Sequence, residues 1–283
     1  MTGAVALQIA YGYTVEPHDS DPLIDLAERA VYDFGLVVTP GNWITVSTLA
    51  TFFLAMTLYP EVQAKARAEI QSVLGSDRLP GFQDRDNLPY INAIVKETLR
   101  WHATVPVITH KSIAPDVCEG YDIPEGSWVM ANVWFVLRMG NSTRNCSLLT
   151  YFFRAMNHDP KTYVDPFSFK PERFLGCEGR APEPDPHTFG FGRRICPGRN
   201  LARANVYLTV AQSLAAFQIS KPRKNGTESD FRPEFQAGFV SSPAPYEIDI
   251  RVRSPAYENL IRTVETEYPW EQSHSKEIKS LAS

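Results

Sequence analysis

Apolar residues recur at a helical period in three stretches of this chain. Residues 21–35, DPLIDLAERAVYDFG, carry Leu23, Leu26, Ala27, Ala30 and Val31 at that spacing. Asp21 suits the N-cap, Pro22 the first helical position and Gly35 the end. Residues 59–75, YPEVQAKARAEIQSVLG, predict a second helix between Pro60 and Gly75. Residues 88–102, LPYINAIVKETLRWH, predict a third, with Ile91, Ile94, Val95, Thr98 and Leu99 on one side. A final long helix is expected after Cys196, in RNLARANVYLTVAQSLAAF.

Other patterns differ. Residues 117–137 alternate β-branched and aromatic runs with turn residues such as Pro124, Glu125 and Gly126, a strand signature. Residues 159–186 are rich in proline and polar residues and predict an irregular loop. Residues 217–240 predict short strands joined by a turn at Asn225 and Gly226. The last stretch, 254–283, is polar and predicts a loose tail. Together these give a mainly α fold with a small β portion.

Residues 36–59 hold no charge and invite a membrane reading. A span needs about 20 predominantly apolar residues. Here Pro40, Gly41 and Asn42 interrupt the run, and five threonines and a serine lie within it. A buried core helix is the better expectation, with a membrane-inserted segment over 43–59 as the competitor.

At 283 residues, 43% hydrophobic and 21% charged, the chain can bury a core as one large domain or two small ones. Its net charge of −4 argues against nucleic acid as main partner. The cysteines are Cys118, Cys146, Cys177 and Cys196, and none forms a C-x-x-C pair, so neither a zinc site nor a disulfide framework is expected. A reducing compartment follows from that usage.

Cys196 has distinctive surroundings. Residues 189–198 read FGFGRRICPG and lead straight into a helix. A metal-binding thiolate needs its charge stabilised, and a helix N-terminus supplies amide hydrogens and the positive dipole end. Gly190, Gly192 and Gly198 permit φ > 0 and close approach of a planar ligand. Arg194 can pair with a carboxylate on it, and Phe189 can shield the sulfur. Elsewhere, Glu97 and Arg100 lie three apart on one helix face, which by itself reads as an ordinary ion pair. Arg173, in PERF, offers a second guanidinium that would lock a loop to that helix.

The loop resembles the F-x-x-G-x-R-x-C-x-G signature of the cytochrome P450 family at every defined position. KETLR resembles that family's E-x-x-R helix and PERF its downstream arginine motif, in the expected order. The resemblance, to fungal members, covers roughly residues 2–253. It implies an incomplete cytochrome P450 fold and monooxygenation of a small organic substrate. It makes Cys196 the proximal thiolate ligand of haem iron. Arg194 and His110 would meet the haem propionates. Glu97, Arg100 and Arg173 would form a structural network holding the cysteine loop. It also implies electrons from an NADPH-dependent flavin reductase, and residence on the cytosolic face of the endoplasmic reticulum membrane, with the cytosol as the alternative because the family's anchor is not recognised here.

The chain departs from the family in three ways. The family's upstream portion and the helices roofing its pocket find no counterpart. The A-G-x-D-T-T pattern is altered: Trp43 stands at the acid position and Ile44 at the first threonine, with Thr45 one place on as a weak catalytic candidate. Residues 135–154, FVLRMGNSTRNCSLLTYFFR, read as an insertion that a retained intron would produce. The alternative to an enzyme is therefore an inactive haem-binding fragment or the product of a faulty gene model.

Overall fold

The computed structural model describes residues 41–132, 156–176, 181–184, 188–224, 227–228, 233–236 and 240–267. The expected helix at 21–35, the segment 135–154 and the Asn225–Gly226 turn lie outside them.

Helix α1 (Gly41–Leu58) has no charged residue and runs through the core. Phe52, Leu54, Ala55 and Met56 are at most 1% exposed. The helix starts at Gly41, two residues earlier than the apolar run alone indicates. It packs on α2 (Pro60–Leu74), α3 (Pro89–Trp101) and α4 (Arg199–Ala216). No helix among the described residues is long and apolar enough to cross a membrane.

Local chemistry sets the boundaries. Pro60 occupies the first turn of α2, where its missing N–H costs nothing. Gly75, at φ +67°, ends that helix. The start of α3 is capped from α2: the Glu69 carboxylate accepts the N–H groups of Tyr90 (2.7 Å) and Ile91 (3.0 Å). Those donors have no partner within their own helix, and a negative charge suits that end of the dipole.

The β portion consists of two-stranded antiparallel pairs. β1 (Val107–Lys111) pairs with β4 (Trp128–Asn132), with His110 opposite Val129. β2 (Asp116–Cys118) and β3 (Tyr121–Ile123) form a hairpin whose turn residues, Glu119 and Gly120, both have positive φ, as a type I′ turn requires. After α4 come β5 (Phe217–Ser220), β6 (Arg223–Lys224), β7 (Thr227–Glu228), β8 (Phe235–Gln236), β9 (Ser242–Pro243) and β10 (Asp249–Val252), paired β5–β10, β6–β7 and β8–β9. Buried Gln63 ties this region to α1 by donating to the carbonyls of Met56 (2.7 Å) and Ile219 (2.8 Å).

Residues 255–267 correct the expectation of a loose tail over 254–283, of which 268–283 lie outside the described residues. Pro255–Glu267 is a helix, α5, whose Tyr257 is 4% exposed and packs with Leu260 and Ile261 against the core. These three apolar residues share one helix face, and their burial outweighs the polar average of the segment.

Candidate functional site

The cysteine loop folds on its own backbone. The Cys196 N–H donates to the Phe189 carbonyl (2.8 Å), closing the loop at its neck. Between them a short 3₁₀ turn (Gly192–Arg194) is closed by Ile195 N–H to Gly192 O (3.3 Å). Gly190 and Gly192 have φ of +85° and +57°, the left-handed region where a side chain is costly. Gly198 differs: its φ is −80°, so the expectation that it serves a positive φ is wrong. It is the N-cap of α4, and an added Cβ would stand 3.8 Å from the Cys196 sulfur, on the cavity wall. An alanine there would sit at ordinary contact distance beside the sulfur and narrow the cavity at the thiol.

Cys196 is exposed and lines a cavity of about 400 Å³. Phe189 and Arg194 line it from the same loop, and α4 contributes Leu201, Ala202 and Val206. The Arg203 guanidinium lies 6.0 Å above the Phe189 ring. Further lining comes from Ile44, Thr45 and Thr48 of α1 and from the segment after α3, including His102 and Thr104. Most of this surface is apolar. Thr45, 6% exposed, is therefore at the cavity, but so is Ile44, which brings no hydroxyl. Burial pushes His102 down to about 4, so its ring is neutral near pH 7; it stacks on Phe235 at 3.9 Å.

His110 is not a lining residue of the cavity. It lies on β1 two residues beyond Ile108, which is one, and so shares Ile108's face of the strand. That shared face is the one a propionate contact would use, and the contact itself belongs to the proposal below.

Glu97, Arg100 and Arg173 are brought together. Glu97 and Arg100 have no exposed surface. Arg100 donates to the Glu97 carboxylate through Nε (2.7 Å) and Nη2 (2.8 Å), a bidentate pair. Its Nη1 donates to the carbonyls of Asn157 and Pro166, both at 2.8 Å. Arg173 Nε approaches the same carboxylate at 3.1 Å, and its Nη1 donates to Val164 O (2.9 Å). The Lys170 N–H donates to Glu97 as well (2.8 Å). These bonds tie α3 to residues 157–173, not to the cysteine loop. The network pins the proline-rich segment, whose carbonyls have no strand or helix to pair with.

Thr48, Thr104 and His102 are cavity residues that the sequence reading passes over. The helical period carried a signal for Thr48: it follows Ile44 by four residues, about 40° away around the helix. Thr104 and His102 lie beyond the end of α3, and only the tertiary fold turns them inward.

The Cytochrome P450 family profile matches residues 41–140 and 147–250, well over half of the chain. The chain is 33% identical to cytochrome P450 monooxygenase ppsD of Aspergillus oryzae, over 99% of this chain and 67% of that protein. It is 46% identical to cytochrome P450 monooxygenase claR of Ampulloclitocybe clavipes, over 79% of this chain and 39% of that one. A solved zebra fish cytochrome P450 structure, obtained with abiraterone, superposes with a TM-score of 0.60 at 30% identity, covering 75% of this chain and 45% of that one. With the cysteine loop and the buried α3 network in place, the chain belongs to the cytochrome P450 family. It spans 39–67% of the two curated relatives, and the family match pauses at 141–146, inside the suspected insertion.

Members of this family carry haem, and the residues present fit it. A cavity bounded by an accessible thiol, an arginine and mostly apolar walls has the donor set that an anionic, planar, iron-bearing group requires. Among the described residues no group of three or more His, Cys, Asp or Glu side chains gathers at a metal-sized site, so a metal held at Cys196 would have to bring most of its own ligands.

Proposed function

We propose that this chain provides the haem-thiolate site of a monooxygenase that inserts one atom of dioxygen into a small organic substrate and releases the other as water. The observation that carries the reading is the Cys196 thiol on the wall of an apolar cavity, at the entrance to α4. Bound at Cys196, haem supplies the reductive activation of dioxygen. Cys196 would hold the iron, Arg194 would neutralise a propionate, and Phe189 would cover the loop side. The walls opposite the cysteine loop, from α1 and the segment after α3, would exclude water and receive the substrate. Electrons would come from a flavin-bearing reductase fed by NADPH, and residence at the cytosolic face of the endoplasmic reticulum belongs to the same proposal.

One observation favours a second reading, in which haem is held but turnover fails. The chemistry the haem would supply consumes protons as well as electrons, and a side chain that holds or passes a proton must carry a polar atom. Ile44 has none, although it lines the cavity. The test is product formed per NADPH consumed, in the haem-loaded chain with reductase, over a panel of apolar substrates. Tight coupling supports the first reading. Consumption without product supports the second, and I44T should then raise the ratio. Failure to retain haem would defeat both.

A further inference from the structure

Two hydroxyls in the cavity give its wall a hydrogen-bonding sign. Thr48 and Thr104 both line it, at 3% and 6% exposure, with their Oγ1 atoms 3.1 Å apart. Each side chain owns one hydroxyl proton. Thr48 commits its proton to the Ile44 carbonyl one turn back, at 2.9 Å, the usual bond of a helical threonine. The contact between the two hydroxyls therefore uses the proton of Thr104. Both protons are then spent inside the protein, and lone pairs alone are left to face the cavity.

The pair is held in place from behind. The Thr104 carbonyl accepts the Ser241 N–H (2.8 Å), and Ser47 donates to the Ser241 carbonyl (2.7 Å). The loop carrying Ser241 thus clamps α1 and the segment after α3 together. Thr104 is not free to swing and offer its proton elsewhere without breaking the contact to Thr48.

We infer that the Thr48–Thr104 pair is a specificity determinant that accepts a hydrogen bond from the substrate, so the site selects apolar molecules bearing an O–H or N–H over analogues whose polar atom only accepts. A donor gains a partner in a wall that is otherwise mostly apolar. An ether or ester oxygen placed there meets only lone pairs and loses its water without compensation. This deepens the proposed function and rests on it in one respect, that with haem at Cys196 the substrate binds in the part of the cavity walled by α1 and the segment after α3.

The test uses the full chain loaded with haem and two probes of one ring system, 1-naphthol and 1-methoxynaphthalene, with affinities from equilibrium dialysis. The readout is the change in the naphthol-to-ether affinity ratio between proteins, so the unequal hydrophobicity of the probes cancels. T104V should lower the ratio roughly threefold to tenfold, the worth of one neutral hydrogen bond. It leaves the Thr48–Ile44 bond intact and changes volume little, and T104S should restore the ratio. T48V has the opposite logic: it deprives the Thr104 proton of its acceptor and turns that hydroxyl into a donor, so the ether should bind more tightly than to wild type. A ratio unchanged in T104V, weaker ether binding in T48V, or retention of neither probe by wild type would overturn the inference. The ferrous–CO spectrum of the same samples reports Cys196 ligation separately. Loss of its thiolate character would sink the proposed function, whereas an intact spectrum with an indifferent ratio would sink this inference alone.

Discussion

Glu97 has no exposed surface and receives hydrogen bonds from two guanidiniums and a backbone amide. Cys196 is exposed, and the bonds that shape its loop run between backbone atoms a few residues apart. The first region is complete within the protein: one carboxylate serves two guanidiniums, whose other N–H groups donate to carbonyls. The second is shaped by glycines and short turns and keeps its side chains turned toward a cavity. The difference teaches where each motif's meaning lies. Glu97, Arg100 and Arg173 act as an anchor between α3 and residues 157–173, and their removal should be felt in stability. On the proposed function, changes in the cysteine loop should be felt in what it binds more than in the fold.

The largest expected effect falls on the anchor. E97A strands two arginines away from water and should cost about 3–5 kcal/mol of unfolding free energy, read from the denaturant midpoint. R100A and R173A should be non-additive in combination, because either one alone already disrupts the shared carboxylate. Simple additivity would mean the network is less coupled than its geometry shows.

Next comes acid. Burial pushes His102 to about 4 and His158 to about 3, both below the ordinary value of 6.5. For a base with a lowered folded value, the unfolded chain takes up protons first. Stability is therefore full above pH 6.5 and falls as pH drops from there toward 4 and then 3. By pH 5 the loss should be roughly 2 kcal/mol per histidine. Both rings belong to the anchor's side of the comparison: His158 lies among the residues that Arg100 holds, and His102 follows α3 directly. Denaturation at several pH values checks this, and H158F should flatten the profile.

The loop responds more weakly. G190A puts a side chain at φ +85° whose nearest neighbour, the Arg194 carbonyl oxygen, is at an ordinary 3.9 Å, so only backbone strain is added. About 1–2 kcal/mol of destabilisation is expected. G198A, at φ −80°, should leave stability within about 0.5 kcal/mol. Its Cβ stands against the sulfur, so it should instead weaken haem retention. Equal stability losses for the two glycines would contradict the distinction between them.

Several features were legible because the chemistry is local. α2 and α3 follow from apolar period and from Pro60, Pro89 and Gly75. The cysteine loop follows from an unusually long pattern. Distance hid the rest. Nothing in the polar residues after Ser254 announces that Tyr257, Leu260 and Ile261 will find a core to bury against. His110 carries the right chemistry on a strand, but which strand residues border the cavity depends on how β1 is set beside α3. The carbonyls that Arg100 and Arg173 satisfy are separated from α3 by more than fifty residues, so the anchor's real partner, the segment 157–173, could not be read from E-x-x-R and PERF alone. Thr104 gains its role only when α1 brings Thr48 to it.

The central claim is that Cys196 is the haem ligand and stands apart from the stability of the fold. C196S measured beside wild type tests it most directly, with haem supplied to both and the ferrous–CO spectrum recorded alongside a denaturation curve. The account predicts complete loss of thiolate-type absorption in C196S, with an unfolding midpoint in the haem-free protein unchanged within about 0.5 kcal/mol. Thiolate-type absorption surviving in C196S, or none in wild type that has taken up haem, would contradict it.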